Sequence, residues 1–100
     1  MSTLFTFHSS WHESAWLFEQ LGFASQGDAI LLLEDSVLAL QSPITLASFL
    51  AKSSAQQIKV YALADDLRAR GIDSKYPQVT QIDYAGFVDL VAQYEKQVAW

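Results

Sequence analysis

Residues 58–71 read Ile58-Lys59-Val60-Tyr61-Ala62-Leu63-Ala64-Asp65-Asp66-Leu67-Arg68-Ala69-Arg70-Gly71. Apart from Lys59, the first six are β-branched, aromatic and aliphatic, a composition suited to a buried strand. Asp65 and Asp66 follow at once. A short carboxylate can accept from the free N–H groups that open a helix, and its charge suits the positive helix end. The spacing therefore predicts that one of them caps a helix. Arg68 and Arg70 fall near the other end, where cations are favoured, and Gly71 supplies a left-handed stop. The stretch is one strand-to-helix unit with a tight turn.

Working outward, Thr3 to Phe7 is a plausible first strand. Ser10-Trp11-His12-Glu13 has the spacing of a capping box, so a helix is expected from Trp11 to about Phe23. Asp28 opens Ala29-Ile30-Leu31-Leu32-Leu33, whose five apolar residues suit a central strand covered on both faces. Glu34-Asp35-Ser36 ends it. Val37 to Leu40 fits either a helical turn or a short strand. Ser42-Pro43 is a helix start, with Ser as cap and Pro at the first helical position. That helix should reach about Lys52. Val79-Thr80-Gln81-Ile82 reads as a strand. Asp83 caps a helix through about Tyr94, with Tyr84, Phe87, Val88 and Val91 as its inner face. Val98-Ala99-Trp100 reads as a last, edge strand. Strands alternating with helices predict a single α/β domain over residues 1–100. Its three α/β/α layers hold a mostly parallel sheet of four to five strands.

Composition narrows the function. Charged residues make up only 17% of the 100-residue chain, too few to cover a folded surface of roughly 5,700 Å². Surface hidden against a partner is the expectation. A net charge of −5 argues against direct nucleic-acid binding, which leaves a basic footprint. With no cysteine, disulfides, thiolate catalysis and Cys-ligated metals drop out. Met1-Ser2-Thr3-Leu4 lacks a basic stretch before an apolar core, and no apolar run approaches the ~20 residues of a membrane span. A cytoplasmic protein is expected, away from membranes.

In a parallel sheet, ligands bind outside the carboxyl ends of the strands. The residues leaving the strands here are His8 and Ser9, Glu34 and Asp35, Asp65 and Asp66, and Asp83. Such an acidic rim could hold Mg²⁺, as in a receiver-like or phosphoryl-transfer protein. A receiver also needs a lysine leaving a late strand, but Lys59 begins its strand and Lys75 lies in a loop. No glycine-rich phosphate motif exists. Helix caps and a turn account for the acids more simply. His8 and His12 sit four apart across a strand-to-helix turn, with no third ligand well placed. The expectation is therefore no metal and no cofactor.

The joint order of several segments is more specific. Asp28 to Asp35 come first, then Ile58 to Leu63 with Asp66 to Gly71. Ile82-Asp83-Tyr84 with Phe87-Val88 and the terminal Val98-Ala99-Trp100 follow. With Leu4, Thr6 and Ser10, they resemble the DsrH/TusB family of bacterial sulfur-relay proteins along nearly the whole chain. The resemblance implies a DsrE/F/H-like α/β/α domain with a five-stranded, mostly parallel sheet. It implies assembly with TusC-like and TusD-like (or DsrF and DsrE) chains into a TusBCD-like heterohexamer, two copies of each. In the Tus system that complex takes persulfide sulfur from TusA and passes it through TusE. The sulfur becomes the 2-thio group of a tRNA wobble uridine. In the Dsr system, DsrEFH-like complexes serve sulfur oxidation. Some members carry a cysteine in the first helix, near where Gln20 falls here. Lacking it, this chain would be a non-catalytic subunit. His8, Glu34, Asp35, Asp65, Asp66 and Trp100 are the candidates for partner-facing or docking residues. Two other classes stay open: a Mg²⁺-dependent protein using the rim, and a stand-alone adaptor that pairs with itself.

Overall fold

The computed structural model describes residues 2–8, 24–41, 50–73 and 76–99. The expected helix over 11–23, its Ser10/Glu13 box, Ser9, His12, the Ser42-Pro43 helix start, Lys75 and Trp100 lie outside the described residues.

Five strands form one sheet in the order β4-β3-β2-β1-β5, and every neighbouring pair is parallel. They are β1 (Thr3–Phe7), β2 (Ala29–Leu32), β3 (Lys59–Leu63), β4 (Val79–Ile82) and β5 (Lys96–Ala99). The run 29–32 is the middle strand and wholly buried, as continuous apolar sequence requires of a strand covered on both faces. Side chains alternate. Phe5, Phe7, Ile30, Leu32, Val60, Ala62 and Val79 enter one core. Leu4, Ala29, Leu31 and Leu63 enter the other, with Tyr61 and Ile82 packed against it. This period of two puts helices on both faces, giving three layers.

The first core is closed by Val37 and Leu40, Leu50 and Leu67. Val37 and Leu40 belong to a 3₁₀ segment, Glu34–Gln41, so the ambiguous stretch is helical. Leu50 lies in the last part of the helix before β3, where residues 50–55 are helical. That helix runs past the expected end at about Lys52, and Ser53 in its last turn is buried. Leu67 comes from α1 (Ala64–Ala69). The second core is closed by Phe87, Leu90 and Val91 of α2 (Tyr84–Gln93) and by Tyr94. From β2 to β4 each connection leads to the adjacent strand. From β4 the chain crosses back over the whole sheet to β5, so the right-handed rule sends α2 to the opposite face.

Two expectations need correction. The first concerns the cap of α1. Its N-cap is Leu63, with no side-chain cap bond, so neither Asp65 nor Asp66 caps it. The helix starts directly off the strand, leaving both aspartates inside the first turn, where the helix dipole still favours them. The second concerns the inner face of α2. Leu90 is its buried residue, while Tyr84 and Val88 are exposed. Nearly every position of α2 is apolar, so two stripes compete, and the sheet takes Phe87, Leu90 and Val91. Asp83 does cap α2, its Oδ1 accepting from Gly86 N at 2.7 Å. A Cβ on Gly86 would lie 3.1 Å from Ile82 Cβ, so the tight cap favours glycine there. Gly71 takes the left-handed conformation, φ +64°, as a helix stop should.

Candidate functional site

The carboxyl ends of β1, β2 and β3 meet where each strand gives way to the next element. Phe7 O accepts from Leu33 N at 2.9 Å, which prolongs the β1–β2 ladder past the last strand residue. The buried Ser36 Oγ lies 2.6 Å from both Phe7 O and Leu33 O. These contacts turn the chain sharply after Leu33. Glu34 consequently adopts φ +51°, a conformation uncommon for a residue with a side chain. Its N–H is not left free. It donates to Asp66 Oδ2 at 2.7 Å.

Asp66 thus ties the end of β2 to α1. Arg70, one turn later, closes the arrangement. Its guanidinium donates to Asp35 Oδ1 through Nε at 3.2 Å and Nη2 at 2.9 Å, and through Nη1 to Asp66 O at 3.2 Å. Nη1 also lies 3.7 Å from Asp66 Oδ1. Arg70 is therefore the counter-charge to Asp35 and Asp66 at this rim. Asp35 is largely exposed, so the ion pair contributes about 0–1 kcal/mol. Its consequence is orientation: two carboxylates point at one arginine.

The other acids are placed differently. Asp65 pairs with Arg68 at 3.0 Å on the exposed side of α1. Asp83 is engaged as the α2 cap. His8 follows β1 and is half-buried. With Leu33, Glu34, Leu63, Asp66, Tyr84 and Phe87 it lines an open cleft of about 270 Å³. The cleft has an apolar floor, an acidic edge and one imidazole. Among the described residues no three His, Asp or Glu side chains come together as a metal site. The carboxylates of Asp35 and Asp66 are already spoken for by Arg70 and by Glu34 N.

Asp28 is a polar residue whose place the sequence did not reveal. It lies at the opposite end of the sheet and is buried, accepting from Thr3 N at 2.9 Å and Ser25 N at 2.8 Å. It pins the start of β1 to the loop before β2. Nearby, burial pushes the Tyr94 phenol above its ordinary 10.0, helped by Tyr61 through charge and a hydrogen bond and by the Asp28 carboxylate.

Comparison with known proteins places the chain. Residues 8–97 match the family described as DsrH like protein. The curated relatives include Protein TusB of Escherichia coli O81 (strain ED1a) and Protein TusB of Escherichia coli O6:K15:H31 (strain 536 / UPEC). Each is 38% identical over 93 residues, covering 89% of this chain and 95% of the relative. Among solved structures, that of the ychN protein from E. coli superposes with a TM-score of 0.65 at 12% identity. The match covers 99% of this chain and 97% of that one, and shows the same fold. A sheet of five parallel strands between helical layers, matched in sequence from residue 8 to residue 97, makes this chain a member of the DsrH family.

Proposed function

We propose that the chain is a non-catalytic subunit of a TusBCD-like heterohexamer in the cytoplasm. There it would support persulfide transfer toward 2-thiolation of the tRNA wobble uridine. The observation that carries this is the 38% identity to proteins named TusB across 95% of their length. The absence of cysteine supports the non-catalytic role, since a thiolate is the species that attacks and carries sulfane sulfur. Its direct partners would be TusC-like and TusD-like chains, with TusA-like and TusE-like carriers reached through the complex. His8, Glu34, Asp35, Asp65, Asp66 and Trp100 are the proposed partner-facing set.

The test is replacement. An Escherichia coli strain lacking its own Protein TusB receives this chain together with the TusC-like and TusD-like chains of its source organism. Nucleoside mass spectrometry of tRNA should show 2-thiouridine derivatives restored, and the three chains should co-purify. Assembly without restored thiolation would favour a DsrEFH-like sulfur-oxidation complex, which the match to the DsrH family also supports. A folded chain that neither co-purifies nor restores thiolation would overturn the subunit assignment.

A further inference from the structure

We infer that the exposed face of α2, continuous with the cleft at the carboxyl rim, docks a protein partner that presents apolar side chains flanked by lysine or arginine. The inference rests on the subunit role proposed above and adds which face is used and what chemistry meets it.

Tyr84 and Val88 are the exposed large hydrophobic side chains of the described chain, 57% and 68% accessible. They stand four residues apart, hence on one face of the helix. Tyr84 and Phe87 also line the cleft with His8, Glu34 and Asp66. The helix stripe and the cleft are thus one surface, apolar along its centre.

Its unpaired charges are acidic. Asp83 and Asp89 are exposed on and beside α2, and no lysine or arginine occurs from Asp83 to Gln93. At the cleft, Arg70 is turned to Asp35 and Asp66, and Arg68 to Asp65. Lys59 and Lys96 begin β3 and β5, at the far end of the sheet from this rim. An apolar stripe edged by carboxylates selects a partner of opposite charge. A second copy of this chain fits poorly. A twofold contact sets the same patch against itself, acid against acid.

The test uses the assembly formed when the tagged chain is co-expressed with its TusC-like and TusD-like chains. Val88→Arg and, separately, Asp89→Lys should each lower the recovered complex at least tenfold. Gln56→Arg, in the exposed turn between residues 50–55 and β3, should leave it unchanged. Circular dichroism melts of the isolated variants establish that they fold. Val88→Ser, a milder change at so exposed a site, gives a second readout and should also reduce recovery. Raising salt should weaken the wild-type complex, as charge complementarity requires. A wild-type complex that forms equally well with Val88→Arg, Val88→Ser and Asp89→Lys would overturn the inference and leave the subunit role standing. A wild-type chain that captures neither partner would instead overturn the subunit role. Self-association abolished by Val88→Arg would make a second copy the occupant and refute the charge argument.

Discussion

Asp65, Asp66 and Asp83 are chemically alike, and each does a different job. Asp83 accepts from Gly86 N as a cap, so Asp83→Ala should cost about 1 kcal/mol in urea melts. Asp66 holds the N–H of Glu34 in its left-handed conformation and faces Arg70. Its loss to Ala should also cost about 1 kcal/mol, since solvent can replace part of that bond. Asp65 has only an exposed pair with Arg68, and Asp65→Ala should stay within about 0.5 kcal/mol of wild type. A cost for Asp65→Ala equal to that for Asp83→Ala would move the start of α1. Tyr94 gives a pH test. Its phenol holds its proton more tightly in the folded chain than in the unfolded one, mainly because of burial. The resulting stability is complete below pH 10 and is lost as pH rises through the higher folded value. Urea melts on either side of pH 10 should show a smaller alkaline loss in Tyr94→Phe than in wild type. An identical loss would remove Tyr94 as its source.

Among the elements, β5 is the one whose value is least local. Its sequence alternates poorly, and only Val98 of Lys96–Ala99 is half-buried. It is held by pairing with β1, in the register Phe5 with Val98 and Thr6 with Ala99. Deleting Val98, Ala99 and Trp100 strips those bonds and bares the edge of β1. A loss of about 1 kcal/mol would lower Tm by about 4–8 °C in a domain of this size. An unchanged melt would mean that the strand matters only in assembly, which size-exclusion chromatography with the partners would read. By contrast, β2 needs no such support. Leu31 and Leu32 are fully buried, and either one changed to Ala should cost about 2–5 kcal/mol.

At the scale of the whole molecule, carboxylates gather at one rim. Glu34, Asp35, Asp65, Asp66 and Asp83 stand at the carboxyl ends of the strands with Arg68 and Arg70 paired among them, while Lys59 and Lys96 stand at the amino ends of β3 and β5. The docking proposed above would cover the apolar side chains exposed on α2. The same chain has no thiol, so sulfur should pass it by. Intact-mass spectra after incubation with a persulfide donor should show no added sulfur on this chain, even within the complex. A stable sulfur adduct would contradict a non-catalytic role.

Much of the fold was legible in local composition. Thr3–Phe7, Ala29–Leu32 and Lys59–Leu63 announce themselves as largely apolar runs and Val79–Ile82 by its β-branched residues, and helices expected between strands imply parallel pairing. The cap at Asp83 and the stop at Gly71 were equally plain, because each depends on neighbours within three or four residues. What tertiary structure decided is whatever joins residues far apart in the chain. Arg70 meets Asp35 across 35 positions, and Asp66 meets Glu34 N across 32. No local pattern distinguishes these carboxylates from Asp65. The inner face of α2, expected to include Tyr84 and Val88, was misread for a related reason. Tyr84, Phe87, Val88, Leu90 and Val91 span an arc of about 160° on the helix, wider than the sheet covers, and hydrophobicity has no direction of its own. Packing on Leu4, Leu31 and Leu63 chose one stripe and left the other to solvent.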